Sequence, residues 1–371
     1  MTIKNLKLTG FRNHQNFETQ FSSSVTLITG PNGSGKTNLL EAVDLLATGK
    51  SFRARYDHEL IFDPQINGPG EEPNKVFDGS VTDRQFAKVA GTVSNGPDEE
   101  LLELIIIRTN PNSNVSQKTF KLNGTNKKPS EAANFLQTVL FTPQDLELFT
   151  GPPTLRRRFL DDLLCKTDQK YQKEHTIYTK SLRQRNKVLE KIHKTALGQD
   201  ELSFWTTKIL QSGTYIQECR TALIAQLNEL VGQTYADISA KPADCLINYQ
   251  QNSITAERLK QYTERELAAR CTLIGPHRDD FSFLLNKYDI SHYGSRGQQR
   301  TAVVSLKIAE LEVAGRKPSP NPVLLLDDIF SELDNEHKKS LRAVVQRQQT
   351  IITSTDSADY LHLAGNMQIL L

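Results

Sequence analysis

Two kinds of hydrophobic spacing run through the chain. Short unbroken apolar runs, VTLIT at residues 25–29 and VLLL at residues 323–326, predict strands buried on both faces. FSFLL and YDIS flank an Asn-Lys pair and predict two strands joined by a polar turn. Helical spacing appears elsewhere. In NLLEAVDLLA the residues Leu39, Leu40, Val43, Leu46 and Ala47 fall towards one core, and after SRGQQR the residues Val303, Leu306, Ile308, Ala309, Leu311 and Val313 do the same. Residues 168–194 place Tyr171, Tyr178, Leu182, Leu189 and Ile192 on a stripe that His175 and Arg185 interrupt. The stretch after GQDEL repeats the pattern at Trp205, Ile209, Ile216, Cys219, Leu223 and Leu230, with Ser212 and Gln226 as interruptions. An antiparallel helical pair follows, each helix roughly 35 to 45 Å long at ~1.5 Å per residue. Residues 63–75 and 94–115 are rich in Pro, Gly and Asn and are expected to be surface loops.

Chemistry enters where the buried strands end. Behind VTLIT, Gly30-x-x-x-x-Gly35-Lys36-Thr37 fits the Walker A pattern, with the required strand before it and helix after it. Gly33 and Gly35 let backbone N–H groups turn inward, Lys36 adds a positive charge for the β- and γ-phosphates, and Thr37 offers a hydroxyl to magnesium. Asn32, Ser34 and Asn38 complete the set expected around the nucleotide. The run ending in Asp327 and Asp328 delivers two acids to a strand's C-terminal edge, where ligands of α/β sheets sit. Asp327 is placed to hold magnesium as in Walker B, and Asp328 to orient or deprotonate the attacking water. A second anion site is expected at Ser295, Gly297 and Gln298, where a hydroxyl and free N–H groups open the long helix. NKYD at residues 286–289 would suit guanine recognition, but no DxxG lies between it and the phosphate loop, and the hairpin reading stands. GPHRDD crowds His277 against two carboxylates, as a catalytic cluster or as a capped turn leading into a strand, and no chemistry is assigned to it.

Composition bounds the rest. A chain of 371 residues suffices for about two domains. The strongest membrane candidate, LLELIII, falls far short of the eighteen or so apolar residues a spanning helix needs, and the N-terminus lacks a secretory segment. A soluble, cytoplasmic protein is expected. The four cysteines form no CxxC pair and are expected to be buried thiols. Net charge is +2, yet from Arg156 to Lys194 twelve Lys/Arg face five Asp/Glu, so the helical insertion is locally basic. Arg156, Arg157, Arg158, Lys180, Arg183, Arg185 and Lys187 are candidates for contact with DNA phosphates, some of the arginine triplet pairing instead with Asp161 and Asp162.

Walker A, the SxGQ start and a Walker B running into SELD resemble the ABC-type ATPase heads of the SMC superfamily. Within it, LTGFRNH, FTPQDLELFTGPPTLRRRFLD, GPHRDDF, SRGQQRTAVVSLKIAEL, LLLDDIFSELD and IITSTD look like successive blocks of the RecF family, bacterial recombination mediators, in the same order. The resemblance implies that Arg12 touches the nucleotide phosphates, that Gln144 sits in the Q-loop sensing magnesium and attacking water, and that Asp334 is the D-loop acid of a dimer interface. It also puts Thr355 where transporter ATPases carry a histidine, and Asp328 where Glu is commoner, which suits slow turnover. Partners implied by the resemblance are DNA gaps or junctions, RecR, RecO and RecA.

The expected fold is therefore α/β, an ABC-type P-loop ATPase head assembled from both chain ends around a helical arm. Residues 1–150 and 271–371 are expected to form the head, and residues 151–270 the insertion. Asp328, Gln144 and Lys36 are the expected catalytic residues, and Thr37, Asp327 and Gln144 the expected magnesium set. The function expected is weak ATP hydrolysis coupled to DNA binding in repair and replication, through an ATP-induced homodimer. An ATPase subunit of a membrane transporter and a P-loop phosphotransferase are the rivals.

Overall fold

The computed structural model describes residues 1–63, 85–96, 98–108, 115–128, 131, 135–195, 197–316, 321–355 and 367–371. The chain divides into two compact units, residues 1–145 with 311–371, and residues 146–310. Residues 271–310, grouped by sequence with the C-terminal part of the head, thus pack with the helical insertion.

The first unit holds two sheets. One is antiparallel, built from β1 (Thr2–Ile3), β2 (Asn5–Phe11), β3 (His14–Gln20), β5 (Gln85–Asn95), β6 (Asp98–Arg108), β7 (Ser116–Leu122) and β8 (Thr125–Lys127), in the order β3-β2-β5-β6-β7-β8 with β1 also on β5. The other is parallel throughout, built from β4 (Val25–Thr29), β9 (Thr138–Phe141), β13 (Val323–Asp327), β14 (Thr350–Ser354) and β15 (Met367–Leu370), in the order β15-β4-β14-β13-β9. Strands from the two ends of the sequence are interleaved in this sheet, β4 lying between β15 and β14 and β9 beside β13, as the separation of the Walker motifs requires. Every residue of β4, β13 and β14 is buried, as the unbroken apolar runs predict.

Helix α1 (Lys36–Thr48) packs against strands of both sheets and is buried on nearly every side, more than a one-faced pattern suggests. Its two buried acids are neutralised or bonded: Glu41 by Arg12, and Asp44 by the Thr138 hydroxyl at 2.6 Å. Strand β6 lies inside the stretch expected to be a loop. Leu102, Leu104 and Ile106 alternate into the core with no exposed surface, each burial contributing about 1.5–3 kcal/mol, so period-two alternation outweighs the turn-forming residues around it. The expected loop at 63–75 lies almost entirely outside the described residues. In the same unit, α7 (Asn335–Val345) joins β13 to β14.

The second unit begins with α2 (Pro153–Thr167), followed by the helical pair α3 (Gln169–Thr195) and α4 (Gln199–Ser239). Gly198, at φ 119°, takes the left-handed conformation that turns the chain between the pair. At ~1.5 Å per residue α3 is about 40 Å long, within expectation, whereas α4 is about 60 Å. The extra length comes from a stripe that continues through Leu227, Val231, Tyr235 and Ile238, all buried, where α4 packs on β10 (Cys245–Gln250). Helix α5 (Ala256–Ala269) follows, then β11 (Asp280–Leu285) and β12 (Tyr288–Asp289), which complete a three-stranded sheet. Leu285 pairs with Tyr288, and Asn286 and Lys287 have φ of 50° and 72°, a two-residue turn with both φ positive, so NKYD is a hairpin. Helix α6 (Arg296–Gly315) carries the chain out of this unit.

Candidate nucleotide site

Parallel pairing brings the Walker motifs to one sheet edge. Ser354 lies beside Thr29, Asp327 beside Thr353, and Leu326 beside Phe141. The residues that follow these strand ends are the phosphate loop, Asp328, Thr355 and the turn holding Gln144. The Thr37 hydroxyl donates to Asp327 Oδ1 at 2.8 Å, and the Thr353 hydroxyl donates to the same oxygen at 2.8 Å. Lys36 Nζ sits within its own loop, donating to the carbonyls of Gly30 and Pro31 at 2.6 and 2.9 Å.

The loop is buttressed from below by the turn between β2 and β3. Asn13 Nδ2 donates to Gly33 O at 3.3 Å, His14 Nε2 lies 3.3 Å from Gly35 O, and Asn38 Nδ2 donates to Asn13 Oδ1 at 2.8 Å. A Cβ on Gly35 would fall 2.5 Å from His14 Nε2 and 2.7 Å from Asn13 Oδ1, and Gly35 has φ 104°, so both space and backbone exclude a side chain. Arg12, which the family resemblance places at the phosphates, forms a two-bond pair with Glu41 at 2.8 and 2.7 Å and donates to Glu59 O at 3.0 Å. It braces α1, with part of its donor capacity left over.

Asp328 differs from its neighbour. It sits at φ 48°, its amide donates to Thr353 O and Oγ1, and its side chain is partly buried. Burial, then the adjacent Asp327 carboxylate, raise its pKa above the ordinary carboxylate value, with Lys36 partly offsetting them. Gln144 lies exposed in the turn Pro143–Glu147 after β9, which Asp145 fixes by accepting from the Thr142 amide and hydroxyl at 2.7 and 3.0 Å. Asp334 caps α7, accepting from the amides of Glu336 and His337 and from His337 Nδ1 at 2.6 Å.

In the second unit the start of α6 is exposed from Ser295 to Gln298. Ser295 and Gln298 cap it reciprocally: the Ser295 amide donates to Gln298 Oε1 at 2.8 Å, and the Gln298 amide to Ser295 Oγ at 3.3 Å. The basic residues divide sharply. Arg156 is buried, bonded to both Asp280 oxygens at 2.6 and 3.0 Å and to the carbonyls of Leu148 and Gly151. Arg185 is 2% exposed, with Glu266 at 2.6 Å and the hydroxyls of Thr206 and Thr272. Neither is available to DNA phosphates, contrary to the sequence expectation, because each satisfies a carboxylate far away in sequence. Arg157 is half-buried on Asp279 O, and Arg158 is exposed beside Asp162 at 3.3 Å. Lys180, Arg183 and Lys187 are exposed. The acids of GPHRDD are held by arginines, Asp280 by Arg156 and Asp279 by Arg220 at 3.0 Å, and serve the packing of this unit.

Residues 2–369 match the RecF/RecN/SMC N-terminal domain family. A DNA replication and repair protein RecF from Herpetosiphon aurantiacus is 33% identical, the alignment covering 97% of this chain and 94% of that one. The chain belongs to the RecF family. Another RecF, from Lachnoclostridium phytofermentans, is 33% identical over 98% of this chain and 95% of its own. The solved structure of the recombination mediator protein RecF-ATP in the RecFOR pathway superposes with a TM-score of 0.81 at 31% identity, covering 96% of this chain and 92% of that one. An Smc head domain from Pyrococcus furiosus shares the fold at a TM-score of 0.54 and 17% identity, covering 98% of this chain and 92% of that one.

This RecF-family site includes residues that motif reading missed. Thr353 fixes Asp327, and Asn13 and His14 hold the loop carbonyls; the latter two lie inside LTGFRNH, the block quoted for Arg12 alone. Ser34 Oγ and Asp328 Oδ1 are buried and find no hydrogen-bond partner among the described residues. A hydroxyl and an acid oxygen of this kind, beside a lysine and a Thr–Asp pair, fit a polyphosphate with a hard, oxygen-seeking cation.

Proposed function

We propose that this chain is an ATP-dependent DNA-binding protein of recombinational repair and replication restart, in which two copies share each ATP and bind DNA while it remains intact. The observation that carries the reading is the Thr37–Asp327 pair at 2.8 Å, which joins Walker A to Walker B across one sheet edge. The chain's membership of a family whose solved members are named with ATP supports it. Gly33, Gly35, Asn32, Ser34 and Asn38 cradle the phosphates, Lys36 neutralises them, and Thr37, Asp327 and Gln144 hold magnesium. Bound there, magnesium would supply charge neutralisation to the polyphosphate. Asp328, with its raised pKa, orients the attacking water and accepts its proton.

Ser295, Gly297 and Gln298 of one copy complete the site of the other, which their exposed, capped helix start suits. Removal of the shared γ-phosphate lets the copies part and release DNA. Gapped or junction DNA is the substrate, with RecR, RecO and RecA as the proteins it serves. A transporter ATPase role is set aside because the likeness to RecF relatives runs over nearly the whole chain; among the described residues no helix is long and apolar enough to cross a membrane.

The test is sedimentation and DNA binding in parallel with ATP, with ADP and without nucleotide. ATP should promote dimerisation and DNA binding, and ADP should not. Ser295→Arg should abolish ATP-induced dimerisation while leaving ATP binding by the monomer intact. A variant that still dimerises would overturn the shared site.

A further inference from the structure

Helix α3 carries a row of lysines that the candidate list only partly caught. Lys173, Lys180, Lys187 and Lys194 recur every seven residues, so they lie along one line of the helix about 10 Å apart, and all four are exposed. Lys194 pairs with Glu190 at 2.7 Å, an exposed contact of little strength. Lys187 also lines a surface groove of about 630 Å³ between α3 and α4, whose floor includes Val188, Phe204 and Trp205. Phe204 is 54% exposed and stands edge-on to Trp205, with centroids 4.9 Å apart. Lys208 lies 5.9 Å from the Phe204 ring, and further along the pair Lys170 lies 4.1 Å from the Tyr215 ring. The acids nearby are Asp168, which accepts from the Tyr215 hydroxyl at 3.1 Å, Glu174, Asp200 and Glu201, and Glu201 is paired with Lys191 at 2.8 Å.

A cation row beside open aromatic rings is the combination that holds single-stranded nucleic acid: lysines follow the backbone, and any base has a face to stack. Duplex DNA would satisfy the lysines and leave the rings unused. We propose that the groove between α3 and α4 binds single-stranded nucleic acid, its phosphates on the Lys173–Lys194 row and an unpaired base on Phe204 and Trp205. This rests on the DNA-binding function proposed above and specifies which strand of a gapped substrate reaches the helical pair, and where.

Trp205 is the only tryptophan of the chain, so its fluorescence reports the groove directly. The full-length protein with ATP is titrated with oligo(dT), with a blunt duplex of equal length and with polyglutamate. Oligo(dT) should quench Trp205 emission, and duplex should bind with little quenching. Phe204→Ala should weaken oligo(dT) binding roughly tenfold, in line with the loss of one stacked base. The triple change Lys173→Gln, Lys180→Gln, Lys187→Gln, on surface residues, should lower the slope of log K against log salt by about 2 on single strands. Unchanged Trp205 emission while ATP-dependent DNA binding is intact would overturn the groove and leave the broader function standing. Equal quenching by polyglutamate would overturn it in favour of an acidic protein partner. Absence of DNA binding in every nucleotide state would overturn both.

Discussion

Two of the chain's three Asp-Asp pairs adjoin a strand, Asp279-Asp280 in PHRDDF at its start and Asp327-Asp328 in LLLDDIF at its end. Their surroundings are opposite. Asp279 has no exposed surface and accepts from Arg220 at 3.0 Å, Gln217 at 2.8 Å, the Asn252 amide at 2.8 Å and the Tyr249 hydroxyl, while Asp280 is clasped by Arg156. Among the described residues Asp327 meets two hydroxyls and no paired cation, and Asp328 keeps one buried oxygen without a partner. A carboxylate saturated by arginine has no capacity left for a metal or a proton, so the first pair is structure. One whose charge is incompletely compensated can bind a cation or take a proton, which is why the proposed function places its chemistry on the second.

The largest effect that tests this contrast is Asp328→Asn, expected to lower kcat for ATP hydrolysis by about 10²–10⁴ with ATP binding and unfolding midpoint little changed. The matching change in the other pair, Asp279→Asn, should leave the ATPase site's own chemistry alone and show itself in stability. A loss of ATP turnover as deep as that of Asp328→Asn, in a folded protein, would dissolve the distinction. Next in size is Arg220→Met. Arg220 also bonds Asp161 at 2.7 Å, so its loss takes this cation from the buried Asp279 and the part-buried Asp161 and should cost about 3–5 kcal/mol in urea unfolding.

Titration sharpens the same comparison at smaller scale. His277 Nε2 donates to Thr272 O at 3.0 Å, so its Nδ1 is the acceptor for the Tyr178 hydroxyl at 2.7 Å, and the ring is held neutral. Burial, with nearby Arg278 and Arg157, lowers its pKa to about 4. The unfolded chain takes up this proton near pH ~6.5 and the folded one only near 4, so stability falls as pH drops through that window, by at most about 3 kcal/mol. Burial alone would raise Asp161, but Arg220, His175 and Tyr171 override it and bring its pKa to about 2. Its contribution is present above pH ~4 and is lost below, by at most about 2 kcal/mol. Urea midpoints at pH 7, 5 and 4 should decline in the parent and decline less in His277→Gln; parallel curves would show that His277 is not the group responsible.

What could be read from the sequence follows the range of the interaction concerned. The phosphate loop, the NKYD hairpin and the start of α6 are set by neighbours within a few residues, and their local patterns place them. The fates of Arg156 and Arg185 are not, since their acids lie 124 and 81 positions away, and a run of basic residues looks the same whether its members face water or a buried carboxylate. Likewise β6 was hidden by the turn-forming Asn-Gly-Pro sequence before it, and the full length of α4 by a stripe followed only to Leu230, although Val231, Tyr235 and Ile238 continue it.

The smallest effect lies within the arginine triplet. Arg158 meets Asp162 at 3.3 Å with both side chains more than half exposed, one helical turn apart. Water and salt screen such a pair, so Arg158→Ala should change stability by less than about 1 kcal/mol, and the difference should shrink further in high salt. Arg156, two residues earlier, is largely withdrawn from solvent and gives up five bonds when cut back to alanine. Equal costs for the two substitutions would mean that burial does not decide what these arginines are worth, and the contrast between the two Asp-Asp pairs would lose its physical basis.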